Sequence, residues 1–243
     1  MAFDAQSYHK PILAEKCFQF LNVRQGGIYV DCTAGGGGHS ALILEKLSGK
    51  GKLLAFDKDD DAIRFCAKRF EGCGSVELIK SDFKNAARFL AEKGLKPDGI
   101  LMDLGISSHQ IDEKSRGFSY MSRDSALDMR MDRTQSLTAK EILNEYDERK
   151  IFEIVRDYGE EKFASKIAKN IVAFRTVQPI ETTGQLNDII DASIPLSVRK
   201  KGGHPAKRTY QALRIAVNGE LDGLGEAIKE LALSLRAGGR MVV

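Results

Sequence analysis

Two hydrophobic periods alternate over the first hundred residues of the chain. Short apolar runs, Ile28-Tyr29-Val30, Lys52 to Asp57, Val76 to Ile79 and Gly99 to Asp103, have the length and continuity of strands buried in a sheet. Between them lie stretches with helical spacing: Ala41, Leu42, Leu44 and Leu47 after the first run, Asp59 to Phe70 after the second, and Phe83 to Lys93 after the third. The second of these carries acidic residues in its first turn, where the helix dipole favours them. Pro11 to Leu21 predicts a further helix, with Ile12, Leu13, Cys17, Phe20 and Leu21 at helical spacing and a proline at its start. Strands alternating with helices in this way predict βαβ units and a parallel, doubly wound α/β sheet.

The alternation stops near Gly105. Ile106 to about Arg133 is polar, rich in Ser and Arg, and without period, after which helical patterns dominate from Leu137 to Asp191. Ala212 to Arg236 is again helical, and Gly238 to Val243 begins a strand. The expected organisation is a discontinuous Rossmann-like core, residues 1–112 and 211–243, interrupted by a mainly helical module over 113–210.

Composition narrows the class. Of 243 residues, 42% are hydrophobic and 29% charged, the ordinary balance of a globular protein. No run approaches the roughly 20 apolar residues that span a bilayer, and Met1-Ala2-Phe3-Asp4 lacks the basic and apolar parts of a signal peptide, so a cytoplasmic location is expected. Cys17, Cys32, Cys66 and Cys73 lack the paired spacing of a zinc site, so reduced thiols and no metal are expected. The net charge of +3 is too small to argue for a nucleic-acid partner. Its distribution says more: between Asp191 and Glu220 there is no acidic residue, yet Arg199, Lys200, Lys201, Lys207, Arg208 and Arg214 all fall there.

The chemistry begins at Asp31-Cys32-Thr33-Ala34-Gly35-Gly36-Gly37-Gly38-His39-Ser40, which runs from the first strand into an apolar helical pattern. Glycine permits φ > 0 and close approach of a ligand, and the helix that follows offers unpaired N–H groups, so a nucleotide-type cofactor is expected there. Asp57 ends the second strand, where a carboxylate meets ribose hydroxyls. Nicotinamide dinucleotides and S-adenosylmethionine both fit this geometry. The fourth strand favours the latter: it ends in Met102-Asp103-Leu104-Gly105-Ile106-Ser107-Ser108-His109-Gln110, an acceptor-rich edge suited to orienting an amino group and relieving it of a proton.

Together these residues resemble the bacterial ribosomal RNA small subunit methyltransferase H (MraW) family. The matching segments are His9 to Leu13, Gly35 to Ser40, Ala55 to Asp59, Leu101 to Gln110, Arg116-Gly117-Phe118-Ser119, Leu127-Asp128-Met129-Arg130-Met131-Asp132 and His204 to Ile215, in order over nearly the whole chain. The resemblance implies a class I methyltransferase fold with an inserted substrate-recognition domain, S-adenosyl-L-methionine as cofactor, and methylation of N4 of a cytidine in small-subunit ribosomal RNA, free or in a ribosomal particle. It places cofactor contacts on Gly37, Gly38, His39, Asp57, Phe83, Asp103 and Gln110, with Asp103 the candidate for handling the amine. An RNA base must leave its stack to reach such a site. Phe118 and Tyr120 are candidate clamps for it or, equally, anchors packing the insertion onto the core; Arg130 and His204 are further RNA contacts, and Arg199, Lys200, Lys201, Lys207 and Arg208 candidate phosphate ligands. Two departures stand out. Many amino methyltransferases carry an Asp/Asn-Pro-Pro-Tyr-like segment where this chain reads Asp-Leu-Gly-Ile-Ser-Ser, which leaves the proton acceptor open. The family also continues past the fifth strand with a segment resembling Ser-Phe-His-Ser-Leu-Glu-Asp-Arg, whereas this chain stops at Val243, so the C-terminal strands of the sheet are expected to be absent. The rival readings are a dinucleotide-dependent oxidoreductase and a non-catalytic RNA-binding assembly factor.

Overall fold

The computed structural model describes residues 11–200 and 203–243. They divide into two compact units, one built from the chain up to His109 together with Gly223–Val243, the other from Gln110–Asp222.

The first unit is a parallel five-stranded sheet in the order β3-β2-β1-β4-β5. The strands are β1 (Ile28–Asp31), β2 (Lys52–Asp57), β3 (Val76–Lys80), β4 (Gly99–Leu101) and β5 (Arg240–Val242). Helices α1 (Ala14–Leu21), α2 (Gly38–Leu47), α3 (Asp60–Arg69), α4 (Ala86–Glu92) and, later in the chain, α12 (Leu224–Ser234) cover it. Successive strand residues point to opposite faces. Tyr29, Leu53, Ala55 and Leu101 pack with Ile43, Leu44 and Leu47 of α2 and Cys66 of α3, while Val30, Leu54, Phe56 and Ile100 pack with Ala86 and Leu90 of α4 and Leu231 of α12. Burial on both faces is why the strands read as continuous apolar runs rather than alternating ones. The predicted elements fall in place with small shifts at their ends. α3 begins at Asp60 because the Asp59 carboxylate accepts the Asp61 N–H as its cap, and the third helical stretch opens with a 3-10 turn, Phe83–Asn85, capped by Asp82.

The second unit contains α6 (Ala139–Glu145), α7 (Glu148–Asp157), α8 (Ala164–Arg175), α9 (Thr183–Ser193), α10 (Leu196–Arg199) and α11 (Lys207–Asn218); α5 (Ser108–Asp112) straddles the boundary. Thr138 with Glu141 and Thr182 with Gln185 form capping boxes that start α6 and α9. The sequence divides this region at 210, between module and core, but α11 crosses that point unbroken and packs on α6 and α7. Its apolar residues Tyr210, Ala212, Leu213 and Val217 need a partner surface, and those helices supply it. The return to the first unit comes after Gly219 and Gly223, both in the left-handed conformation, which end α11 and start α12.

The aperiodic stretch from Ile106 to Arg133 is tied together by side chains in place of a ladder. Arg116 is fully buried and its Nη2 donates to the carbonyls of Arg130 at 2.8 Å and Met131 at 3.1 Å. Asn218 of α11 accepts from the Met131 N–H at 2.7 Å and donates to the Met129 carbonyl at 2.7 Å.

Candidate functional site

The strand order reverses direction between β1 and β4, and in open α/β sheets ligands bind outside the carboxyl ends of the strands at that point. The register aligns Asp31 with Ala55 of β2 and with Leu101 of β4. Two residues past this row stand Thr33, Asp57 and Asp103, one from each strand end. Thr33 joins the two strands flanking the switch point, its hydroxyl accepting the Asp103 N–H at 2.8 Å.

The glycine turn is held from both ends by carboxylates. Asp31, fully buried, accepts from the Thr33 N–H at 3.1 Å and from the Ser40 hydroxyl at 2.6 Å, so the strand end and the first turn of α2 are clamped to one side chain. Burial pushes its pKa upward against the pull of those two donors. Asp57 accepts the Gly35 N–H on one oxygen and the Asp59 N–H on the other, each at 2.8 Å. The carboxylate is thereby fixed in orientation, and its remaining lone pairs are the acceptors left for a ligand. Burial raises its pKa to about 6, outweighing the two backbone donors.

The four glycines are not equivalent. Gly35 (φ 50°) has only distant neighbours on the side where a Cβ would lie, so it is the open position. Gly37 (φ 71°) packs under Phe70 and Cys66, where a Cβ would meet the Phe70 ring at 2.8 Å. Its role is to let α3 and the turn close on each other, and Gly38 likewise faces Pro11. The open side of the turn is thus at Gly35, while Gly37 and Gly38 pack against neighbouring side chains.

His39, the second residue of α2, is buried, and its Nε2 lies 3.2 Å from the Ile12 carbonyl. When Nε2 donates there, the neutral ring turns an Nδ1 lone pair toward the Asp103 carboxylate, 3.9 Å away, whose side chain is 46% exposed. Two facing acceptors at that spacing suit a shared donor such as an ammonium group. Phe83 follows β3 next to the Asp57 end of β2, where Ser81 N–H donates to the Asp57 carbonyl at 2.9 Å; its half-buried ring packs against the buried cluster that includes Val30, Leu54, Phe56, Ala86 and Leu90. Gln110 is buried and falls in the second unit.

Several substrate residues expected from sequence have other duties. Phe118 is only 6% exposed and lies under the Arg116 guanidinium, 5.8 Å from its ring centroid, so it anchors the loop and offers no face to a base. Arg130 spends its donors internally, on both Asp128 oxygens and on the carbonyls of Arg133 and Gln135. The basic stretch is also less bare than its acid-free sequence implies. The acids bounding it reach inward: Asp191 pairs with Arg199 at 3.3 Å, and Glu220 takes Arg214 in a two-pronged pair at 2.7 and 3.0 Å. Lys200, Lys207 and Arg208 remain exposed, with Arg208 Nη1 donating to the Glu160 carbonyl at 3.1 Å; Lys201 lies outside the described residues. Tyr120 is half-buried, and His204 is exposed and stacked on it. Asp31 is the site-building residue that sequence reasoning misses. Its signal is an Asp at a strand end two residues before a Thr, the spacing of a side-chain turn. Among the described residues no cluster of His, Cys, Asp and Glu could hold a metal, and no helix is long and apolar enough to cross a membrane.

A doubly wound parallel sheet with a glycine turn and a ribose-type carboxylate beside its switch point defines a Rossmann-like protein that binds a nucleotide-type cofactor. The chain belongs to the MraW methylase family, which it matches over residues 6–243. It is similar to ribosomal RNA small subunit methyltransferase H of Symbiobacterium thermophilum, with 50% identity over 238 residues, covering 97% of this chain and 74% of that one. The protein of that name from Heliobacterium modesticaldum is 49% identical over 239 residues, covering 97% and 76%. A solved putative methyltransferase from Streptococcus mutans, in complex with SAH, aligns with a TM-score of 0.34 and 22% identity over 40% of this chain and 53% of that one, too partial a likeness to add to the sheet order itself.

Proposed function

We propose that this chain transfers a methyl group from S-adenosylmethionine to N4 of a cytidine in small-subunit ribosomal RNA. Membership of a methylase family supports the reaction class, and the names of its relatives support the RNA substrate. The observation that carries the cofactor reading is Asp57, a carboxylate fixed by two backbone N–H groups at the end of β2 with its free lone pairs left for ribose hydroxyls. The bound cofactor supplies an electrophilic methyl group.

The residues present fit such a group. Asp57 holds the ribose, Gly35 leaves room beside it, and His39 Nδ1 with the Asp103 carboxylate takes the ammonium of the methionine part. Phe83 offers an apolar wall to the adenine. The exocyclic amine of cytosine is a weak nucleophile because its lone pair is delocalised into the ring, so the protein's work is chiefly orientation. Asp103 is the exposed carboxylate at the switch point, and we assign it to holding this end of the site and accepting from the amine as its proton leaves. The second unit is the part that recognises RNA, with Lys200, Lys201, Lys207 and Arg208 on phosphates and Tyr120 and His204 at a base. Ribosomal RNA and its assembling particles are cytoplasmic substrates, and the enzyme works there.

The test incubates the chain with labelled S-adenosylmethionine and either naked small-subunit RNA or small ribosomal particles, followed by nucleoside mass spectrometry. Label recovered as N4-methylcytidine is expected. No methyl transfer to either substrate overturns the proposal, and label on another nucleoside overturns the N4 assignment.

A further inference from the structure

Three rings in the second unit are stacked in series from core to solvent. Tyr210 on α11 is 3% exposed, and its hydroxyl donates to the Thr183 carbonyl at 3.2 Å. Tyr120 meets it edge to face, with centroids 5.8 Å apart and planes at 86°, and Asn187 Nδ2 donates to the Tyr120 carbonyl at 2.9 Å. Tyr120 is thus held by its ring and by its backbone. The His204 imidazole lies on it with centroids 4.4 Å apart and planes inclined by 24°.

His204 is exposed, yet its orientation is set twice over. Besides the stack, its Nδ1 accepts the Ala206 N–H at 3.2 Å. An accepting Nδ1 carries no proton, so the neutral ring keeps its proton on Nε2. Among the described residues Nε2 has no hydrogen-bond partner, and the donor faces outward. Holding a solvent-facing side chain in one rotamer costs conformational entropy that exposure does not return. Exposed Lys207 and Arg208 follow three and four residues later at the start of α11. A flat, pre-positioned aromatic face beside cations is the pattern by which proteins hold single-stranded nucleic acid, bases on rings and phosphates on Lys and Arg.

We propose that His204, backed by Tyr120 and Tyr210, is a stacking platform for one unpaired base of the RNA strand, with Lys207 and Arg208 holding the adjoining phosphates. The proposal rests on the reading of this chain as an RNA-binding enzyme. Because every base has a π face, the platform sets the register of the strand and does not choose its sequence.

The test measures binding of single-stranded RNA by the 243-residue chain and its His204→Ala and His204→Phe variants, using an oligonucleotide from the methylated region and copies made abasic at each position in turn. S-adenosylhomocysteine affinity and thermal midpoint serve as controls. His204→Ala is expected to weaken RNA binding by about 5- to 100-fold, the range for loss of one base–aromatic stack. His204→Phe keeps the stack and is expected to stay within about threefold of the parent. One abasic position should cost the parent as much as the alanine substitution does and cost His204→Ala nothing, a coupling that a merely structural role would not produce. If the parent binds RNA and His204→Ala binds equally well, or if His204→Phe is as weak as His204→Ala, the platform is overturned while the RNA reading stands. If the parent binds no RNA, both fall together.

Discussion

Asp57 makes cofactor affinity a function of pH in a range where the methionine and adenine parts of the ligand do not titrate. Its carboxylate is held by Gly35 and Asp59 N–H groups, and burial lifts its pKa from 3.8 to about 6. The ionised form accepts ribose hydroxyls; the protonated form gives up part of that capacity to its own proton. Affinity for S-adenosylhomocysteine should therefore be flat above about pH 7 and fall as pH drops through about 6, reaching about tenfold weaker at about pH 5. Stability of the ligand-free fold moves the other way. A raised carboxyl pKa penalises the folded state once the group is ionised, by up to about 3 kcal/mol for a shift of about two pH units. That penalty is fully present above about pH 6 and disappears as pH falls toward the unfolded value of 3.8. Isothermal titration calorimetry across this range measures the first effect, with Asp57→Asn as the reference. The variant should bind about 10- to 100-fold more weakly at about pH 8, from loss of hydrogen bonds to a charged acceptor, and fall less steeply than the parent on acidification. A parent affinity constant from about pH 8 to about pH 5, or an Asp57→Asn variant with the same pH profile as the parent, refutes the assignment of Asp57 to the ribose.

Gly37→Ala should destabilise the fold by about 2–4 kcal/mol in urea titration, because a left-handed backbone and a Cβ pressed 2.8 Å from the Phe70 ring act together. Asp103→Asn should weaken cofactor binding through loss of the pair with the ammonium and also slow single-turnover methyl transfer at saturating cofactor; unchanged turnover at saturation removes Asp103 from the chemistry. Lys200→Glu combined with Lys207→Glu should weaken RNA binding and lower its salt slope by about one unit for each phosphate no longer neutralised, with S-adenosylhomocysteine affinity unaltered. Asn218→Ala should cost about 2–4 kcal/mol, since it leaves the buried Met131 N–H and Met129 carbonyl without their partner, and a thermal midpoint equal to that of the parent contradicts this role.

The first unit is legible in sequence because its signals are local. Strands buried on both faces read as apolar runs, and Asp59, Asp82 and the glycines mark element ends through backbone chemistry that needs no distant partner. Lys52–Asp57 is readable to the residue for that reason. Side-chain assignments in the second unit fare differently because they turn on what a residue meets. Phe118 reads equally well as clamp or anchor until Arg116 is found above it. Arg130 reads as a free cation until Asp128, two residues earlier, takes its guanidinium. An acid-free stretch looks uniformly positive, yet Asp191 and Glu220 fold back on its ends because helix and turn bring positions eight and six residues away into reach. The stacked His204 has no sequence signal beyond its motif, since Tyr120 lies far away in the chain.

The route of the chain through the sheet also dictates an order of assembly during synthesis. β4 ends at Leu101, its neighbour β5 begins at Arg240, and the whole of Gln110–Asp222 emerges between them. The second unit is contiguous and can close its core as soon as Asp222 has left the ribosome, whereas the β4–β5 ladder waits for later residues. Spanning so long an insertion adds little to the equilibrium cost, because closure entropy grows only logarithmically, by about 0.6 kcal/mol per doubling of length. In time the delay is real: the hydrogen-bonding edge of β4 stays unpaired, and the face that α12 covers stays bare, until translation passes the insertion. The inserted unit can thus close its core before the β4–β5 ladder forms.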